Sequence, residues 1–203
     1  MCARSILTIQ GTIAAELVVE YRRNHEHVAS LVRPLDPHRL LRRPAPDGWS
    51  VGEVLEHLIL MDGLFLRAIE PRIRAAPMDA AAAGREWAPS WIGRRIAESL
   101  QNPKPLKAAK RARPGTPRAG VAEAFLEGDA RFAERLEDAR RLDWNRIRFR
   151  PPVMPWFPLR MNLGDAFRIH GVHVERHTGQ IERTLAALNA VEQRASSHDA
   201  AMM

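Results

Sequence analysis

The sequence is poor in the residues that build disulfide-linked or membrane-spanning proteins. Its 203 residues include one cysteine, Cys2, so no disulfide can form within the chain and no cysteine-based metal site exists. No apolar run approaches the roughly 20 residues that cross a bilayer. The mildly apolar N-terminal stretch is a poor signal peptide, because Gln10 interrupts it and Glu16 and Glu20 follow at helical spacing. We therefore expect a cytoplasmic protein with no membrane partner.

Positive charge is in excess but is not gathered on one motif. Lys and Arg number 31 against 24 Asp and Glu, a formal net charge of +7. The densest basic run comprises Lys104, Lys107, Lys110, Arg111, Arg113 and Arg118, with no acid among them. This run indicates either a solvated loop or an electrostatic contact for an anionic partner. Because no motif concentrates the excess, we do not expect nucleic-acid binding.

Helical periodicity dominates the chain. Apolar residues recur at steps of three and four in four long segments, residues 6–33, 50–69, 119–142 and 161–188. A short helix is predicted from about Ser90, inside the long connection between the second and third segments. The fold class is therefore all-α, a four-helix bundle with a long crossover connection and a short extra helix. We expect a single domain over residues 1–190 and a flexible C-terminal tail over 191–203.

Local signals mark where these helices begin and end. Ser50 and Glu53 have the spacing of a capping box, and Asn162 can cap the fourth helix. Pro71 predicts the end of the second helix, and the apolar pattern of the fourth ends near Leu188. The four prolines at 151, 152, 155 and 158 predict that strand pairing does not continue through this connection.

The fourth segment carries imidazoles where a core stripe would carry aliphatic side chains. Phe167, His170, His173 and His177 fall on the face that other apolar residues extend in both directions. A buried imidazole needs a hydrogen-bond partner or a metal. His173 and His177, four residues apart, can aim two nitrogens at one ion, as zinc-binding helices do. The alternative is that these are core histidines satisfied by hydrogen bonds.

A third ligand would have to come from another helix. His57 lies on the apolar stripe of the second segment, together with Val54, Met61 and Phe65. If the two stripes pack against each other, Phe65 and Phe167 are buried and His57 meets His173 and His177 inside the bundle. The predicted metal ligands are His57, His173 and His177.

Several residues could support such a site. His170, one turn before His173, indicates a partner of the ligands, a further ligand or plain packing. Asp62 and Glu53 lie one turn to either side of His57, and Gln180 could orient a ligand. Glu175 points away from the His173–His177 face at helical spacing. The sequence identifies no catalytic residue.

Taken together, GWS followed by His57-Leu58, and HVERHTGQIER from residue 173, resemble the DinB-like superfamily over roughly residues 6–190. The resemblance implies an up-down-down-up four-helix bundle. It also implies that His57, His173 and His177 bind a divalent metal, zinc or nickel. The segment from Val153 to Leu159 departs from the pattern of many relatives.

The resemblance also implies a function. An open metal position would suit an enzyme acting on a small molecule, by hydrolysis or by transfer of a low-molecular-weight thiol. Homodimers are common in such families, so a homodimer is expected. The alternative is a metal-binding, stress-related bundle that acts by binding or dimerisation without turnover.

Overall fold

The computed structural model describes residues 8–102 and 110–201, and these are mostly helical. Six α-helices follow one another along the described chain: α1 Gln10–Val32, α2 Pro37–Leu41, α3 Val51–Ala75, α4 Trp91–Gln101, α5 Val121–Asp138 and α6 Leu163–Ala201. The long helices α1, α3, α5 and α6 form the bundle. Among the described residues, no helix has the length and apolarity that a membrane span requires.

Two short antiparallel strand pairs lie in the segments outside the helices. Strand β1 (Thr8–Ile9) pairs with β2 (Glu86–Trp87), and β3 (Arg148–Phe149) pairs with β4 (Met161–Asn162). The second pair brackets the proline-rich loop, and no strand occupies residues 151–158, as the prolines predict. Single turns of 3-10 helix occupy Ala82–Gly84, Lys110–Ala112 and Ala139–Arg141.

Helices α1 and α6 run in the same direction. Tyr21 Oη donates to the Phe167 carbonyl at 2.6 Å, and one turn further along both helices Asn24 Nδ2 donates to the Gly171 carbonyl at 3.2 Å. Residue numbers therefore increase in the same direction along the two helices, so the helices are parallel.

Helices α3 and α5 run the other way. His57 lies beside His173 whereas Asp62 lies beside His170, so α3 ascends as α6 descends. His25 of α1 meets Asp129 of α5 while Tyr21, one turn earlier, packs on Phe132, so α5 is antiparallel to α1. The topology is up-down-down-up, and residues 76–120 form the crossover that carries α4. The all-α bundle and its short extra helix are confirmed.

The capping signals of the two histidine-bearing helices are confirmed. Ser50 Oγ accepts from the Glu53 amide at 3.2 Å, and Glu53 Oε2 accepts from the Ser50 amide at 2.8 Å. Asn162 Oδ1 and the Asp165 carboxylate make the same reciprocal exchange at 3.0 and 2.8 Å. These bonds satisfy amides that a helix N-terminus leaves unpaired, and they fix where α3 and α6 begin.

The sequence placed three helix boundaries incorrectly. Helix α1 begins at Gln10, whose buried side chain bonds the Leu142 carbonyl and the Trp144 amide. Helix α3 continues through Pro71 to Ala75, because burial of Ile73 offsets the hydrogen bond that proline removes. Helix α5 ends at Asp138 and gives way to a 3-10 turn.

The fourth long helix is also longer than expected. Helix α6 reaches Ala201 instead of ending near Leu188. Glu192 on this extension forms ion pairs with Arg39 and Arg42 at 3.3 and 3.0 Å, which tie it to the α2 region. The flexibility of residues 191–203 and the single-domain organisation stay predictions.

The core contains the aromatic residues that position α6. Phe65 and Phe167 are both buried, as predicted, with 6% and 0% of their surfaces exposed. Phe167 packs against Trp144 and Phe132 at ring-centroid distances of 5.3 and 6.2 Å. This packing holds the first turns of α6 against the other helices, directly before the histidines.

A buried ionic cluster joins all four long helices. His170 Nδ1 lies 3.0 Å from Asp62 Oδ1, and its Nε2 lies 3.0 Å from Asp129 Oδ1. Asp129 Oδ2 in turn lies 2.8 Å from His25 Nδ1. Because carboxylate oxygens only accept, both nitrogens of His170 carry hydrogen and the ring is an imidazolium. It stacks on Phe132 with the ring centroids 3.9 Å apart.

The charge of His170 predicts how stability depends on pH. Burial alone would lower the pKa of His170, but the charges and hydrogen bonds of Asp62 and Asp129 outweigh burial and raise the pKa to about 10. Because folding raises this pKa, the protonated ring stabilises the folded protein fully at pH values below its unfolded pKa of 6.5. This stabilisation is lost as the pH rises towards about 10. Urea unfolding of metal-free protein should show this alkaline decline, and His170→Gln should remove it.

The same variant should lose about 3–5 kcal/mol at neutral pH, because the two buried carboxylates lose the cation between them. His38→Gln, which changes an exposed histidine on α2, is the matched control and should keep the decline. An unchanged alkaline decline in His170→Gln would refute the assignment of the charge to this ring.

Two glycines in helices provide opposite tests of the packing. A Cβ at Gly164 would lie 2.2 Å from Trp87 Nε1 and 2.7 Å from Trp144, whereas a Cβ at Gly128 meets nothing within 4 Å. Gly164→Ala should therefore destabilise the protein by about 1–3 kcal/mol through overpacking. Gly128→Ala should stabilise α5 by up to about 1 kcal/mol. Thermal unfolding of both variants checks the pair, and equal effects would contradict the described register of α6.

Candidate metal centre

Three buried imidazoles converge between α3 and α6. His57 Nε2 lies 3.1 Å from His173 Nε2, and one nitrogen from each of His57, His173 and His177 lies within 4.8 Å of the others. The ring centroids are 4.6 to 5.1 Å apart. Each of the three residues exposes between 5% and 8% of its surface. The side chains that the sequence predicts to meet are brought together.

Hydrogen bonds at the outer nitrogens set the direction of two rings. His57 Nδ1 lies 2.5 Å from the Ala112 carbonyl, which can only accept, so Nδ1 carries the hydrogen. His177 Nδ1 lies 2.8 Å from Gln180 Oε1 and donates in the same way. In a neutral ring the hydrogen on Nδ1 leaves a lone pair on Nε2. Both Nε2 atoms therefore carry a lone pair that can bind a cation, as in histidine metal sites supported by outer hydrogen bonds; that of His57 faces His173 Nε2.

The surroundings keep all three rings neutral. Burial lowers the pKa of His57. Burial, reinforced by the proximity of His177 and His57, lowers the pKa of His173 well below its ordinary value. Burial and then the proximity of His57 lower the pKa of His177 to about 3. Neutral imidazole is the form that binds metal. The donor set therefore fits a divalent ion such as zinc or nickel, both of which accept imidazole nitrogen.

The three rings line a cavity of about 960 Å³. Its walls come from α3, α4, α6 and three connections, and about half of the wall residues are apolar, including Met61, Phe65, Ile96, Leu100 and Val172. This volume is that of a small-molecule site. The contribution of α4 to the wall was not predicted, because residue spacing within the crossover does not indicate which helices it packs against.

Two arginines and two acids provide the formal charge of the cavity wall. Arg176 Nη1 donates to the carbonyls of Leu100 and Asn102 at 2.8 and 2.5 Å, which anchors the end of α4. Arg183 is exposed and forms no hydrogen bond or ion pair with any residue in the described ranges. The acids are Asp47 and Glu175.

The carboxylates near the histidines are engaged elsewhere. Glu53 closes the capping box and pairs with Arg43, and Glu56 pairs with Arg118. Glu175 lies 3.8 Å from Arg23 and is largely exposed, in agreement with the predicted direction of its side chain.

The predicted supporting residues divide into two groups. Gln180 forms a hydrogen bond with His177, which is one of the proposed metal ligands. His170 and Asp62 instead bond to each other in the ionic cluster, and neither forms a hydrogen bond to the three rings. Their role beside the ligands stays a prediction. Sequence reasoning missed the Ala112 carbonyl, since any residue can supply a backbone acceptor.

The basic run of the crossover is only partly described. Lys104 and Lys107 lie outside the described residues. Arg111 and Arg113 are exposed, and Arg118 pairs with the buried carboxylate of Glu56 at 3.0 Å through its Nε. At least one of these cations therefore has a structural partner within the protein.

Comparison with known proteins agrees with this architecture. The sequence model of the DinB superfamily matches residues 20–181, a range that includes all three converging histidines, two of the four bundle helices in full and about half of each of the other two. Searches of curated proteins and of solved structures gave no significant match. Because the matched range covers most of the 203 residues, the chain belongs to the DinB superfamily.

Proposed function

We propose that His57, His173 and His177 bind one divalent metal ion, zinc or nickel, and that the protein is a metal-dependent enzyme acting on a small molecule. The observation that carries this proposal is the convergence of three neutral, buried imidazoles on one wall of a cavity. Catalytic zinc sites commonly have three protein ligands and one open position, whereas structural sites have four. A divalent ion held there would lower the pKa of a water or of a thiol at the open position.

The chain's own residues would perform the remaining tasks. The Ala112 carbonyl and Gln180 hold His57 and His177 in one orientation, so little reorganisation accompanies binding. The apolar wall excludes water from the three rings and provides surface for an organic substrate.

Transfer of a low-molecular-weight thiol is the reaction that this environment favours over hydrolysis. Within the described residues, Glu53 and Glu56 are held by arginines and Asp62 Oδ1 by His170, and none of these three carboxylates lines the cavity as a general base would. A thiol at such an ion would release its proton to solvent outright and would be the nucleophile as the thiolate, whereas hydrolysis would benefit from a base that accepts a proton from the attacking water. A homodimer and a cytoplasmic location are also proposed, on the family resemblance and the single cysteine.

Metal content and turnover of matched variants test the proposal together. Wild type should contain about one divalent ion per chain, and His173→Ala should lose it because two imidazoles rarely hold an ion tightly. His27→Ala removes an exposed α1 histidine that pairs with Glu182 and is the control, which should keep the metal. Mass-spectrometric metal analysis after dialysis provides the readout.

The same proteins are then assayed with low-molecular-weight thiols against aromatic electrophiles, and with ester substrates. We expect thiol conjugation in wild type and His27→Ala, and a fall of at least about 100-fold in His173→Ala. Metal bound by wild type without turnover of either class would favour the non-catalytic metal-binding bundle. Equal metal in wild type and His173→Ala would reject the site itself.

A further inference from the structure

Arg183 has hydrogen-bond donors from which no described residue accepts. It lies on α6, lines the same cavity as the three histidines, and is exposed. The described residues offer it no hydrogen bond and no ion pair. A guanidinium presents five N–H donors in a planar fork that matches a carboxylate in two parallel hydrogen bonds. In this position the fork is directed to solvent or to a bound molecule.

The side chain of Arg183 folds back along α6 towards the N-terminal end of the helix. A Cβ built at Gly179 would lie 3.3 Å from Arg183 Nη1, so the guanidinium lies over the preceding turn of α6. Gly179 and Gln180, which also line the cavity, are two and three residues from His177.

The acids of the cavity wall do not neutralise this guanidinium. The Glu175 carboxylate lies near Arg23 rather than Arg183. The Asp47 carboxylate interacts electrostatically with Arg43. Arg176 differs from Arg183, because its guanidinium is already bound to the carbonyls of Leu100 and Asn102. As far as residues 8–102 and 110–201 show, the cavity wall therefore combines three neutral imidazoles with one guanidinium that has neither a hydrogen bond nor an ion pair.

We propose that Arg183 binds a carboxylate on the small-molecule substrate, whose other end reaches the three histidines. This inference rests on the proposed function and narrows its substrate class to anionic molecules, specifically to those with a metal-seeking group and a carboxylate. The net charge of +7 favours the approach of such anions.

Paired thiols test the proposal by affinity rather than by activity. Zinc-loaded protein is titrated calorimetrically with mercaptopropionate and with mercaptopropanol, which share the thiol but differ in the carboxylate. Mercaptoacetate and mercaptobutyrate vary the reach. In wild type the best mercaptocarboxylate should bind about tenfold more tightly than its alcohol, as expected for a charge-assisted contact. In Arg183→Gln this preference should disappear, while affinity for mercaptopropanol stays unchanged.

The chain offers a closely matched control. Arg67 on α3 is also exposed and folds back over a glycine, with its Nη1 3.3 Å from a Cβ built at Gly63, but it does not line the cavity. Arg67→Gln should keep the full preference for the carboxylate, and Arg183→Lys should keep part of it. Thermal unfolding and zinc content should be the same in all variants.

The possible failures are distinguishable. Equal binding of acid and alcohol by wild type, or an equal preference in Arg183→Gln and Arg67→Gln, would overturn the role of Arg183 and leave the metal site standing. If zinc-loaded wild type binds neither thiol, the open metal position fails, and the substrate class proposed here fails with it.

Discussion

The structure depends on satisfying three imidazoles that are buried where a helical bundle would ordinarily bury aliphatic side chains. Neutral rings avoid the large cost of an unpaired buried charge, but each must still use its nitrogens. His57 and His177 commit Nδ1 to the Ala112 carbonyl and to Gln180, and both turn Nε2 inwards. The antiparallel packing of α3 and α6, fixed by their N-terminal caps, brings these nitrogens within reach of His173.

Two histidines on one face of α6 differ in their charge. His170 lies between Asp62 and Asp129 and keeps its proton, whereas His173, one turn later, has only imidazoles and Arg176 as charged or titratable neighbours and is neutral. The charged ring ties four helices together, and the neutral rings face the cavity. Local partners, which the spacing of the histidines cannot reveal, separate a structural cation from candidate metal ligands.

Local rules predicted much of the fold, and long-range contacts explain the errors. Capping chemistry and apolar periodicity located the starts of α3 and α6 and the convergence of His57 with His173 and His177. Pro71 misled because the burial of Ile73 outweighs a local preference. His170 was ambiguous because Asp129 reaches it from a helix 41 residues away, and the Ala112 carbonyl left no trace in the sequence.

X-ray absorption spectroscopy of protein loaded with one equivalent of zinc tests the central claim most directly. The account predicts three imidazole nitrogens at about 2.0–2.1 Å, with their outer-shell scattering, and a further light-atom ligand from solvent. Loss of one imidazole nitrogen from the zinc environment in His57→Ala would show that α3 contributes a ligand together with α6. A zinc environment of oxygen atoms alone, identical in wild type and His57→Ala, would contradict the account.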